Sequence, residues 1–423
     1  MEKNDVSATK KTASMVLLIV IYLAFVSLGL PDGLLGVAWP NMREYYQMPL
    51  SSAGYVSIIS TIGSCIMSFM SGHIIRRFGT GKIVVVSGFL TSVAMFGFGI
   101  SQNFLFLLLL SFPFGLGAGG VDAALNGYVA NHYSARHMNW LHGFWGCGAF
   151  VGPLLMTWAL VQLSSWRIGY YIVASIQLIL AIVFVITLPL WAKNEAPSAK
   201  PSEVTEKSEQ PDQAPASDNS VRKENSEKDK NRSPFRTYRK ALILSMLIFL
   251  FYTGMEAGVG LWSASFLREL RGFSVSAAGF YVSVYYFCIM LGRFLTGVIV
   301  NKVGTVRVIR IGSVIALLGF VCFISPYFAS MLSPVGMALI GFGFAPMYPC
   351  TMQDTPLHFD ASFSSIAIGY QMGSANFGYT ILPFFLAKIA EATTLYVIPV
   401  GCAIFLFGFI ASSLLLTRKK RAP

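Results

Sequence analysis

Three carboxylates stand inside long apolar runs of this chain: Asp32 after Leu28-Gly29-Leu30-Pro31, Asp122 four residues before Asn126, and Glu256 after Tyr252-Thr253-Gly254-Met255. An ionisable side chain in hydrocarbon costs at least a few kcal/mol, so each needs a reason to be there. A carboxyl group in such a place can take and release a proton, hold a cation, or accept two hydroxyls at once. Asn126 shares a helical face with Asp122 one turn on, and Gly115, Gly117, Gly119 and Gly120 let a neighbouring helix approach. Asp122 is therefore expected to bind the proton, the plainer alternative being a carboxylate fixed by a helix-helix hydrogen bond. Pro31 removes a helical hydrogen bond beside Asp32 and predicts a broken helix, which hydrocarbon tolerates only against protein or a water-filled cavity. Asp32 is expected to meet a hydroxylated ligand there, the plainer alternative being a purely structural carboxylate. Glu256 can contact the same ligand or coordinate a cation.

Other polar side chains in the apolar runs extend the set. Asn139 and His142 open one run, and His142 can hydrogen-bond a ligand, relay a proton or pack between helices. Gln371 and Asn376 can bridge hydroxyls, Tyr348 lies between two prolines that should distort its helix, and Trp262 can stack on a sugar ring or anchor a helix end. Arg293, in Gly292-Arg293-x-x-x-Gly297, is read as one turn inside the end of its run, where it pairs across a gate or snorkels. The six cysteines fall within the runs without a CxxC pair, so neither a disulfide framework nor a metal site is expected. No phosphate loop or nucleophile-base constellation is present, which argues against an enzyme and against a cofactor.

The elements that must position these residues are helices in a membrane. Of 423 residues, 55% are hydrophobic and 12% charged, more apolar surface than a water-soluble interior can hide. Twelve apolar runs are each long enough to cross a bilayer: 15–38, 53–73, 82–101, 105–130, 138–161, 168–191, 241–264, 277–299, 306–326, 330–352, 363–387 and 393–416. Alternating ten-residue segments of a barrel are absent, so the fold class is all-α. The net charge of +12 is distributed along the chain as topology requires. Lys and Arg concentrate in the tails and in alternate loops, which places both termini in the cytoplasm and needs no nucleic-acid partner. The apolar run after residues 1–14 has no cleavage site and reads as a retained span.

Residues 192–239 are rich in Ser, Glu, Lys, Asp, Gln and Pro and cannot bury a core, so they read as a disordered cytoplasmic linker. They divide an N-terminal tail (1–14) and first six-span bundle (15–191) from a second bundle (240–416) and a basic tail (417–423). The halves echo each other. Gly72-x-x-x-Arg76-Arg77-x-Gly79 after span 2 returns as Gly297-x-x-x-Asn301-Lys302-x-Gly304 after span 8, at a constant offset of 225. An internal duplication of this kind puts a ligand site near midplane, between repeats that rock against it.

On these residues the chain resembles the major facilitator superfamily over everything but the linker. The loop Gly72 to Lys82 is similar to that superfamily's signature between helices 2 and 3, with Arg76 where an acidic residue is usual. Asp122 four residues before Asn126, the Asp on span 1, and Arg136, Asn139 and His142 resemble the fucose-permease-like sugar:cation symporters, with Asp for Glu on span 4 and Gly127 for a Pro. The resemblance implies two pseudo-symmetric bundles of six helices acting as a monomer in the plasma or inner membrane. It also implies proton-coupled symport of a monosaccharide or similar small polar solute. Sodium coupling through Asp32 and Glu256, and proton-driven export of amphipathic compounds through a Phe- and Met-lined pocket, stay open beside it.

Overall fold

The computed structural model describes residues 2–133, 135–194, 234–325 and 331–418, and all regular structure among them is helical. Twelve spans follow one another in the order hydropathy predicts. Spans 2 to 6 are Ser52–Phe78, Thr80–Ile100, Phe104–His132, Ala135–Gln162 and Trp166–Asn194. Spans 7 to 9 are Pro234–Glu269, Val275–Val303 and Thr305–Ile324, and span 12 is Val397–Arg418. Among the described residues, eleven of the twelve are long and apolar enough to cross a membrane. The remaining one, span 11 (Ala361–Ala392), has the length but carries Gln371, Ser374, Asn376 and Thr380 along it.

Spans 1 and 10 are each made of two helical pieces, and proline marks both breaks. Span 1 stops at Gly29 and resumes as Leu34–Tyr46, well beyond the end hydropathy gave it. Span 10 stops at Phe344 and resumes as Met347–Asp354 across Ala345-Pro346. Span 7 has no break, so the bent helix that holds Asp32 is not repeated around Glu256. The repeated loop motif has one physical meaning in both halves. Gly79 and Gly304 each turn the chain in a single residue at φ 82° and 87°, a region an L side chain rarely adopts.

Within the first bundle, span 1 packs on 5, span 2 on 4, and span 3 on 4 and 6. The second bundle repeats this as 7 on 11, 8 on 10, and 9 on 10 and 12. Backbones touch where glycine allows it: a Cβ on Gly115 would lie 1.9 Å from the Ser60 carbonyl oxygen. The bundles meet along spans 5 and 8 and along 2 and 11, and the second piece of span 1 lies on span 7.

On the face opposite the termini, side chains close this seam. Arg43 donates to Glu269 at 2.9 Å, Arg268 donates to Asn41 at 2.7 Å, and the Ser51 backbone N–H donates to Glu391 at 2.5 Å. The helices of spans 6 and 7 reach Asn194 and Pro234, so both intrude on the stretch whose composition reads as linker. Residues 195–233 lie outside the described residues.

Candidate functional site

The break in span 1 builds the first part of the site. Pro31 has no N–H to give, Gly33 takes φ 76°, and Asp32 is left on a turn facing the seam between bundles. Spans 1 and 5 touch backbone to backbone there, because a Cβ on Gly29 would lie 2.1 Å from the Trp145 carbonyl oxygen. That approach brings the indole of Trp145 to Asp32, and its N–H donates to Oδ2 at 2.8 Å.

The second bundle supplies the opposite charge. Arg293 on span 8 sits with its guanidinium 5.0 Å from the centroid of the Trp145 ring. Its Nη2 donates to Glu256 Oε1 at 3.2 Å and to the Tyr252 hydroxyl at 3.3 Å, both on span 7. Its Nε has no hydrogen-bond partner among the described residues. A planar guanidinium with donors to spare can grip a carboxylate in a fork.

These groups line two adjoining cavities. An inner chamber of about 400 Å³ is walled by Asp32, by the hydroxyl stripe Ser57, Ser60, Thr61 and Ser64 of span 2, and by Asn376, Tyr286 and Tyr379 of the second bundle. A vestibule of about 610 Å³ is walled by His142, Glu256, Arg293 and Tyr348. Its lining continues to Tyr133, Val300 and Gln353 near the ends of spans 4, 8 and 10 on the terminal face. Asp122 and Trp145 belong to both walls. Asp122 is exposed to this space and accepts a hydrogen bond from Asn126 Nδ2 at 2.9 Å.

Several expected site residues therefore converge: Asp32, Asp122, His142, Glu256, Tyr348 and Asn376 all line one or other of these two adjoining cavities. Others do not. Trp262, expected beside the ligand, is fully buried and donates to the Pro383 carbonyl at 3.1 Å, fastening span 7 to span 11. Gln371 is 1% exposed and accepts from Thr355 at 3.1 Å in a small separate cavity. Asn126 steadies Asp122 without lining either cavity wall. Arg293 is the largest correction, because ten residues separate it from the end of span 8 at Val303. At 1.5 Å per residue that is roughly 15 Å of helix, which sets Arg293 deeper than one turn inside the span, in the vestibule wall beside Glu256. Arg77 is exposed and lies over its neighbour Phe78, and Gly297 lines the vestibule. Gly72, Arg76, Arg136 and Asn139 sit on described helices, but their side positions lie outside the described residues.

Sequence reasoning missed Trp145, Tyr252, Tyr286 and Tyr379. One signal was available for Trp145: an indole among Gly143, Gly146 and Gly148, far from the span ends where aromatic residues ordinarily gather.

Residues 21–383 match the Major Facilitator Superfamily. The chain is 27% identical over 402 residues to the cis,cis-muconate transport protein of Acinetobacter baylyi, covering 92% of this chain and 91% of that one. It is 23% identical over 398 residues to a probable sulfoacetate transporter, SauU, of Cupriavidus necator, covering 89% and 88%. Among solved structures, the nucleoside transporter NupG superposes with a TM-score of 0.67 at 15% identity, over 97% of this chain and all of that one. A duplicated six-helix unit, a cavity at the seam with carboxylates in its wall and a match across both bundles agree: this chain is a transporter, not an enzyme, and belongs to the Major Facilitator Superfamily.

Proposed function

We propose that this protein is an alternating-access secondary transporter that carries a small hydroxylated carboxylate together with a proton, sugar acids being the class that suits both walls of the site. The observation behind the reading is Arg293, a permanent cation in the vestibule wall with donors to spare beside Glu256. Muconate and sulfoacetate, named for the two relatives, both bear carboxylates, which supports the same class. The span 2 hydroxyls with Asp32 and Asn376 suit a polyol frame, in keeping with the likeness to fucose-permease-like symporters. Asp122, at the junction of both cavities, is the proposed proton carrier, with Asp32 assisting. The lysine and arginine asymmetry supports a cytoplasmic terminal face in the cell membrane, so the vestibule opens inward and the far-face contacts hold the outer side shut.

Uptake into proteoliposomes tests this. Glucuronate, gluconate, muconate and neutral fucose are offered under an imposed pH gradient, with Na+ replaced by choline. The acids accumulate without Na+ if the reading holds. Accumulation of fucose alone would remove the role of Arg293, and loss of uptake in choline would move coupling to Na+. Met95, Phe98 and Phe114 in the inner chamber favour one second reading, export of amphipathic compounds. Proton-driven dye efflux with no uptake of acids would establish it.

A further inference from the structure

Trp145 is the side chain that touches a charge from each bundle. Its indole N–H ends on Asp32 of the first bundle, its ring face receives Arg293 of the second, and its edge meets Tyr286 with centroids 6.5 Å apart. It also forms part of both cavity walls. We infer that Trp145 is a positioning residue that carries the charge state of Asp32 across the seam to Arg293, linking proton binding in one bundle to solute binding in the other.

The inference rests on the proposed roles of Asp32 and Arg293, and its physics is specific. An N–H that donates to a carboxylate polarises the indole toward its ring face, and a richer face holds a guanidinium more strongly. With Asp32 charged, Arg293 is kept against Trp145 and Glu256. With Asp32 protonated, the N–H bond weakens and the face holds Arg293 less strongly, so the guanidinium, still paired with Glu256, turns its spare donors toward an arriving carboxylate more readily. No other group reaches both ends of this path at hydrogen-bond or ring-contact distance among the described contacts. The titratable and charged groups facing it are Glu256 and Tyr252 on span 7, Tyr286 and Arg293 on span 8, Tyr348 on span 10, Tyr379 on span 11, Asp122 on span 4 with Tyr133 at its end, Tyr170 on span 6 and His142 on span 5 itself.

The test separates this inference from the proposed function by beginning without solute. The chain has seven tryptophans, so the emission of Trp145 is read as wild type minus Trp145→Phe across a pH titration. We expect a pH-dependent component that Asp32→Asn abolishes. Because Asp32→Asn keeps every tryptophan, it reports even where Trp145→Phe fails to fold. A component that survives Asp32→Asn overturns the inference, whatever the protein carries. With a transported acid in hand, Trp145→Phe keeps a ring for Arg293 and loses the N–H. It should depress uphill accumulation about tenfold more than counterflow exchange, whereas Trp145→Leu should also raise the KM for exchange. Wild-type accumulation by Trp145→Phe, or equal loss of accumulation and exchange in both variants, overturns it as well.

Discussion

Arg293 and Glu256 hold each other at 3.2 Å on neighbouring spans, with side chains only 12% and 13% exposed, so each is the other's main charge partner in the cavity wall. Removing one member strands the other. Arg293→Gln is expected to destabilise the protein by about 3 kcal/mol, the low end for a broken buried pair because the cavity admits water. The drop is read as a lower Tm in detergent. Adding Glu256→Gln should recover most of that loss while leaving transport absent. A double variant no more stable than Arg293→Gln would mean that the pair is not what holds these two side chains.

The far-face contacts make a different forecast, because they are partly exposed and cross between bundles. Arg43 and Glu269 keep side-chain exposures of 30% and 32%. An exposed ion pair contributes roughly 0.5 kcal/mol, and charge reversal adds repulsion. Arg43→Glu should therefore raise labelling of Ser57→Cys by an impermeant maleimide added on the far side, after correction for the parent chain. Restoring opposite charges with Glu269→Arg should return it to the starting level. Labelling that ignores both changes would show that other contacts keep this face closed.

Spans and breaks were legible because hydrocarbon and proline act locally. Pro31 and Pro346 mark the two breaks, although Pro113, Pro153, Pro189 and Pro383 lie inside unbroken helices, and Gly79 and Gly304 carried the same turn at the same repeat position. Facing was not legible. Trp262 and Gln371 lie on helices with polar groups on more than one side, and nothing local distinguishes a Trp bound to the Pro383 carbonyl from one against a solute. Arg293 was misplaced for another reason: its depth depends on how far span 8 continues through Val298, Ile299 and Val300 to Val303, and an Arg near the end of an apolar run ordinarily snorkels.

The correction at Trp262 can be checked. Trp262→Phe keeps most of the buried ring and loses one hydrogen bond to Pro383, a cost of about 1 kcal/mol. Thermal stability should fall modestly, while the KM for solute stays at the wild-type value. A raised KM with unchanged Tm would return Trp262 to the solute path.

Close packing of spans 1 and 5 places Trp145 on Asp32, and it has no slack. A Cβ at Gly29 meets the Trp145 carbonyl oxygen at 2.1 Å, and one at Gly148 meets that of Val26 at the same distance. The obstacle is backbone in both cases, so neither side can yield by a rotamer change. Gly29→Ala and Gly148→Ala should each lower Tm and yield, by about 1–3 kcal/mol for an overpacked contact. Gly127→Ala, whose Cβ would meet nothing within 4 Å, should match wild type and serves as the control. Equal behaviour of all three would mean that the two spans are farther apart than described.

Asp122 separates coupling from carriage. It is exposed to the cavity and tied to Asn126 on its own helix, so Asp122→Asn keeps the shape and the neighbour's hydrogen bond while removing the capacity to carry a proton. A carrier that no longer needs the proton to reorient should still exchange solute for solute across the membrane. Accumulation against a gradient, by contrast, requires the proton to travel with the load. Asp122→Asn proteoliposomes are therefore expected to show counterflow with no pH-driven accumulation, measured with the same acid on both sides. Accumulation that persists would shift the proton to Asp32 or Glu256. Loss of counterflow along with accumulation would mean that Asp122 holds the solute.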